Sequence, residues 1–143
     1  QGNSAQRPIV VSNQINQNPV IKFDGIDDFL SVPKNASIEP SQLTLIVVSR
    51  HSGNGSLQGS FVAKGLSYGI ARNNTSTGIA AYINSNTAGL ANGTLSANTW
   101  NVLSQTYDGS TLRLFQNDVL SAAISRNVGV TYDTSPLSIG ARS

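Results

Sequence analysis

Between Trp100 and Asn117 the chain reads W-N-V-L-S-Q-T-Y-D-G-S-T-L-R-L-F-Q-N, two alternating runs around Asp108-Gly109. A period of two marks a strand whose faces meet different surroundings, and Asp-Gly is a strong signal for a hairpin turn, because both central residues of a two-residue loop adopt φ > 0. A two-residue loop places Tyr107 opposite Ser110, Gln105 opposite Leu112 and Leu103 opposite Leu114. One face then carries Leu103, Leu112 and Leu114. The other carries Trp100, Val102 and Phe115, with Ser104, Thr106, Thr111 and Arg113 nearer the turn. Such a hairpin packs on one side and offers a mixed aromatic and polar side to something else.

The rest of the chain repeats this pattern in shorter pieces. Arg7 to Val11 is a strand candidate that Pro8 places at an edge or a strand start, and Asn13 to Asn18 is an amide-rich loop. Pro19–Asp24 and Asp28–Val32 alternate around a turn at Asp24-Gly25, and Ala36–Ser41 suits one helical turn. Leu43–Arg50 (L-T-L-I-V-V-S-R) is the longest apolar run, buried on at least one face and suited to a central position. Phe61–Lys64, Tyr68–Arg72, Gly78–Asn84, Val119–Ser125 and Pro136–Ala141 follow, separated by Gly and Asn, with a weaker segment from Ala88 to Leu95. About ten to twelve strands at this spacing, with no amphipathic helix of useful length, predict an all-β sandwich of two antiparallel sheets.

Composition narrows the function. Only 11% of residues are charged, while Asn, Ser and Thr supply roughly a third, which suits solvated strand faces and turns rather than disorder. The nine basic residues are scattered and the net charge is +2, so no stripe exists to track phosphates and nucleic acid is excluded as a partner. No apolar run approaches a membrane span. Without cysteine there is neither a disulfide framework nor a thiolate metal site. The absence of methionine and the opening Gln1 point to a processed product or a segment cut from a longer chain.

Four segments in order, F-D-G-I-D-D-F-L-S-V (Phe23–Val32), L-T-L-I-V-V-S (Leu43–Ser49), T-W-N-V-L-S-Q-T-Y-D-G-S-T-L-R-L-F-Q-N (Thr99–Asn117) and P-L-S-I-G (Pro136–Gly140), give the chain a family likeness. It resembles the laminin-G-like members, of bacterial type, of the concanavalin A-like lectin/glucanase superfamily. The resemblance spans nearly all of residues 1–143, taken as one domain, and implies a jelly-roll sandwich that serves as an accessory module in secreted or surface proteins. Such domains normally carry a further apolar strand after P-L-S-I-G, so the resemblance also implies a fragment, or a fold whose open sheet edge is completed by another chain or copy.

A retaining glycosidase needs two carboxylates about 5–5.5 Å apart across the scissile bond. Glu39 is the only glutamate and lies beside a proline; most of the seven acids sit in predicted turns, so the chain reads as noncatalytic. His51, the only histidine, has neither a cysteine nor a serine elbow to serve and reads as a solvated loop residue. Asp24, Asp27 and Asp28 supply turn chemistry; clustered carboxylates are also what calcium takes, and calcium is common in the resembled family.

Sugar binding needs an aromatic plate for the apolar face of the ring and amide or guanidinium partners for its hydroxyls. Trp100, Tyr82 and Phe115 are the candidate plates, and Arg113, Asn84 and Arg72 the candidate partners. Trp100 reads first as a core anchor, whereas Tyr82 lies opposite the Ile79/Ile83 face and is the better surface candidate; Arg113 reads first as a solvated strand residue. Sequons stand at Asn35, Asn54, Asn73, Asn74 and Asn92. The leading expectation is a carbohydrate-binding module that takes a glycan or polysaccharide outside the cell or at a surface. The alternative is a structural or adhesive module of a surface protein, filament or virion, working through protein–protein contacts.

Overall fold

The computed structural model describes residues 3–52, 59–73, 78–84 and 90–140. Among them are twelve strands: β1 (Ile9–Ile15), β2 (Asn18–Lys22), β3 (Leu30–Val32), β4 (Leu43–Ser49), β5 (Ser60–Lys64), β6 (Tyr68–Arg72), β7 (Gly78–Ile83), β8 (Leu90–Thr94), β9 (Asn101–Tyr107), β10 (Thr111–Gln116), β11 (Val119–Ser125) and β12 (Leu137–Ile139). A six-stranded sheet in the order β3-β12-β5-β6-β7-β8 faces a four-stranded sheet in the order β11-β10-β9-β4, and β1-β2 form a separate ribbon. Every pairing is antiparallel. This is the jelly-roll sandwich expected of the alternating runs.

The expected hairpin forms, but in a different register. Tyr107 pairs with Leu112 and Gln105 with Leu114, so four residues, Asp108 to Thr111, make the loop. Its geometry comes from Asp108, whose Oδ1 accepts the backbone N–H groups of Ser110 at 2.9 Å and Thr111 at 2.7 Å, an Asx turn rather than a two-residue turn. The slip is two residues, the period of a strand, so each side chain keeps its face. Leu103, Leu112 and Leu114 are buried as expected, joined by Gln105 and Tyr107.

The two-residue turns lie elsewhere. Asn16 and Gln17 (φ 47° and 64°) join β1 to β2, and Asn117 and Asp118 (φ 49° and 65°) join β10 to β11. The Asn13–Asn18 stretch is therefore mostly strand and turn, not loop. Asp24-Gly25 does not close a hairpin, because β2 pairs with β1 while β3 pairs with β12 in another sheet. β4 is an edge strand rather than a central one. Leu43, Leu45 and Val47 face the core and Thr44, Ile46 and Val48 face out.

Between the sheets, Ile70, Ile79, Ala81 and Ile83 meet Leu103, Leu112 and Leu114. Each large aliphatic side chain there contributes about 1.5–3 kcal/mol by leaving water. Gln105 crosses this interior, its Nε2 donating to the Tyr82 carbonyl at 3.0 Å.

At one end of the sandwich Lys64 is fully buried. Its Nζ donates to the Ser135 carbonyl at 2.6 Å, lies 3.5 Å from Glu39 Oε1 and 3.9 Å from Asp133 Oδ1, and stands 5.9 Å from the centre of the Tyr132 ring. Tyr68 and Tyr132 meet edge to face, and their hydroxyls donate to the carbonyls of Ile38 and Pro40. One buried cation thus ties together the 36–40 segment, β5 and the 131–136 segment. Removing one member of a buried ion pair costs about 3–5 kcal/mol. Lys64→Met should lower the stability measured by guanidinium unfolding by about 3 kcal/mol, and adding Glu39→Gln should recover part of that loss.

Burial pushes the Tyr132 hydroxyl up to about 12, with the neighbouring Tyr68 and Glu39 adding to the shift, and burial raises Tyr68 as well. The folded chain therefore holds these protons where the unfolded chain releases them. Their contribution to stability is complete below pH 10 and lost as pH rises from 10 towards 12. A tyrosinate absorbance titration should accordingly show a late, unfolding-coupled step that Tyr132→Phe removes.

Candidate functional site

The outward face of the four-stranded sheet has one polar row and one apolar row side by side. Cross-strand pairing aligns Arg113 with Thr106 and Thr106 with Thr44. The next row aligns Phe115 with Ser104 and Ser104 with Ile46, and beyond it Val102 pairs with Val48. Ile46 is 65% exposed, Val48 53% and Val102 39%, a large apolar presentation for a chain with this composition. Phe115 and Arg113 are half-buried.

A cleft of about 350 Å³ opens at the turn end of the polar row, lined by Gln42, Leu43, Thr44, Thr106, Tyr107, Asp108 and Arg113. Arg113 does not wave free in solvent: its Nη1 meets Asp108 Oδ2 at 2.7 Å. Arg113 first, then the Ser110 hydroxyl and the Ser110 and Thr111 N–H groups, hold the Asp108 carboxyl well below the usual carboxylate range. Gln42 Nε2 donates to the Asp108 carbonyl at 2.9 Å and fixes β4 against the turn. The guanidinium is thereby aimed along the sheet surface, with two threonine hydroxyls in its row. Trp100 lies at the other end of the face, half-buried beneath the Arg50 guanidinium, 5.1 Å from the ring centre. It is absent from the core clusters, so it is no core anchor.

The other three sugar-site candidates sit elsewhere and have structural duties. Tyr82 does lie opposite Ile79 and Ile83, yet it is only 4% exposed, and its hydroxyl donates to the Gly65 carbonyl at 2.8 Å. It packs over Gly69, where a Cβ would come within 2.8 Å of that hydroxyl. The expectation of a surface tyrosine is therefore corrected: the face holds small residues, Ala63 and Ala71, that let the ring sink in. Asn84 adopts φ 52°, donates to the Gly129 carbonyl at 2.5 Å and accepts the Thr131 N–H at 2.6 Å. It lines a second cleft of about 260 Å³ with Leu66, Ser67, Thr131 and Asp133. Arg72 pairs in register with Ile79 and so lies on the core side at the end of β6. His51 is half-buried rather than solvated, and burial, with Arg72 nearby, pulls its pKa down.

Asp24, Asp27 and Asp28 converge, with one carboxylate oxygen from each lying within 4.8 Å of the others. Much of this grouping is internal bonding. Asp24 Oδ1 accepts the N–H groups of Ile26, Asp27 and Asp28 at 2.8, 3.2 and 3.3 Å, and Asp28 Oδ2 accepts the Asp24 N–H at 2.9 Å. The Ile26 N–H is the largest cause holding Asp24 below its usual pKa. The remaining oxygens are hard donors of the kind calcium takes, but six to eight are needed, and two of those present are already engaged. The loop folds on its own hydrogen bonds. Among the sequons, Asn35 Oδ1 accepts the Ser37 N–H at the start of a short 3-10 turn, whereas Asn54 and Asn74 lie outside the described residues.

Sequence reasoning missed Gln42 and Thr44, placed Ser104 and Thr106 on the outward face without naming them as sugar partners, and took Asp108 only as a turn residue. The signal that could have found them is the pairing of β4 with β9, which a period-two pattern in separate runs does not specify.

No curated protein sequence matches the chain. Among solved structures it is similar to domain 4 of AbnA, a GH43 extracellular arabinanase from Geobacillus stearothermophilus, in complex with arabinotriose. The TM-score is 0.68 at 12% identity, over 94% of this chain and 66% of that one. At that identity the likeness establishes a shared fold. A laminin-G family model, described as the concanavalin A-like lectin/glucanases superfamily, matches residues 23–143. That match takes in all strands of both sandwich sheets, and the chain belongs to the concanavalin A-like lectin/glucanase superfamily.

Proposed function

We propose that the chain is a noncatalytic carbohydrate-binding module of a secreted or surface protein, with its site on the outward face of β4, β9 and β10. The supporting observation is the pair of adjoining rows, Phe115–Ser104–Ile46 beside Arg113–Thr106–Thr44. A sugar ring has the same division, an apolar face of C–H groups and an edge of hydroxyls. Phe115 and Ile46 would carry the ring; Arg113, the threonines and Gln42 would bond its hydroxyls. Because Asp108 neutralises Arg113, the cleft suits a neutral saccharide better than a uronate. The arabinotriose held by the similarly folded arabinanase domain supports the ligand class.

The acids support the noncatalytic reading. Glu39 lies 3.6 Å from Lys34 and 3.5 Å from Lys64, Asp108 is paired with Arg113, and Asp24, Asp27 and Asp28 share one loop. The second reading, an adhesive module working through protein contacts, draws support from the exposed Ile46 and Val48 on an edge strand.

The test is calorimetric titration with neutral oligosaccharides, arabinan fragments included. Phe115→Ala and Arg113→Ala should each weaken binding at least about tenfold, or 1.4 kcal/mol, while the loss of the solvent-screened Arg113–Asp108 pair should leave the fold intact. Tyr82→Phe should leave affinity unchanged, since its hydroxyl is spent on Gly65. Affinity that survives both substitutions on the outward face, or no binding to any neutral glycan, would overturn the proposal.

A further inference from the structure

The apolar presentation on the outward face runs further than the contacts at Phe115, Ile46 and Arg113 use. Val48 and Val102, 53% and 39% exposed, form the next cross-strand pair and lead to Arg50 and Trp100. Register sets Arg50 one step beyond the Ser49–Asn101 pair, opposite Trp100, and its guanidinium stands 5.1 Å from the centre of the indole. Arg50 is exposed and makes no hydrogen bond or ion pair among the described residues. The indole orients it, and its N–H donors stay open.

The start of β9 that carries Trp100 is held by its own bonds. The Asn98 N–H donates to the His51 carbonyl at 2.7 Å. The buried Asn101 side chain donates to the Thr99 carbonyl and accepts from Gln116 Nε2, both at 2.9 Å. Asn117 engages both backbone groups of Val102, at 2.8 and 2.9 Å. A guanidinium presented from so fixed a base loses little freedom when a ligand arrives.

We propose that Arg50 and Trp100 form a second subsite of the same face, for a further unit of a linear glycan laid along β4 and β9. Six strand steps of roughly 3.3 Å separate Thr44 from Arg50, or about 20 Å, a span of several sugar rings. Between the ends, Ile46, Val48 and Val102 offer aliphatic contact to the C–H faces of those rings. Each end offers a guanidinium, one aligned by Asp108 and the other by Trp100, and its forked donors suit neighbouring hydroxyls. A fragment too short to span the face meets only one end, so the face selects long stretches of a linear chain. This inference rests on the glycan reading of the face and adds the length of the ligand to it.

Trp100 is the only tryptophan, so its emission reports on this subsite alone. The test is titration with linear neutral arabino-, xylo- and cello-oligosaccharides of three and six units, followed by calorimetry and by tryptophan emission. In a series that binds, the six-unit ligand should bind at least about tenfold more tightly than the three-unit one, and it alone should shift the emission. Arg50→Gln, at an exposed position, should bring the six-unit ligand down to the affinity of the three-unit one with an unchanged circular dichroism spectrum. Arg113→Ala should weaken both lengths. Equal affinity at the two lengths, an emission unmoved by saturating six-unit ligand, or a length preference that survives Arg50→Gln would overturn this subsite and leave the glycan reading standing. No binding at either length in any series would overturn both.

Discussion

Loop carbonyls need donors, and in this chain side chains from the strands supply them. A buried carbonyl without a hydrogen bond costs free energy comparable to the bond it lacks, and with no disulfides and only 11% charged residues the usual fasteners are scarce. All four tyrosines are used this way. Tyr68 holds the Ile38 carbonyl, Tyr82 that of Gly65, and Tyr132 that of Pro40, while the Tyr107 hydroxyl stands among those of Gly109, Arg126 and Val128. Lys64 and Gln105 do the same for Ser135 and Tyr82. Each donor except Tyr132 sits on a strand and each acceptor, Tyr82 excepted, on a connection, so the sandwich organises most of its own loops.

That duty decides which polar side chains remain for a ligand. Tyr82 and Asn84 looked apt for sugar recognition because they carry an aromatic ring and an amide, but both are occupied in fastening loops. Arg113 is occupied too, yet its partner Asp108 lies on the same surface, and the pair leaves the guanidinium at the mouth of a cleft instead of removing it from solvent. The distinction is geometric: the bond to Asp108 runs along the open sheet surface and orients Arg113, whereas Tyr82 sinks among Ala63, Ala71 and Gly69 to reach the Gly65 carbonyl.

The same distinction explains what the amino-acid sequence revealed. Strand parity was legible, so the core side of β9 and β10 was read correctly even though the loop has four residues rather than two; a slip of two preserves faces. Loop type was not legible from Asp-Gly, because the Asp108 carboxylate can close an Asx turn as readily as the backbone can adopt φ > 0. Conversely, Asn16-Gln17 and Asn117-Asp118 make the two-residue turns without a glycine between them. Parity placed Tyr82 on the outer face but carried no information about what lies over that face. The apolar run of β4 suggested a central strand buried on at least one face; one face is buried, but the strand lies at the sheet edge and its alternate residues Ile46 and Val48 meet solvent.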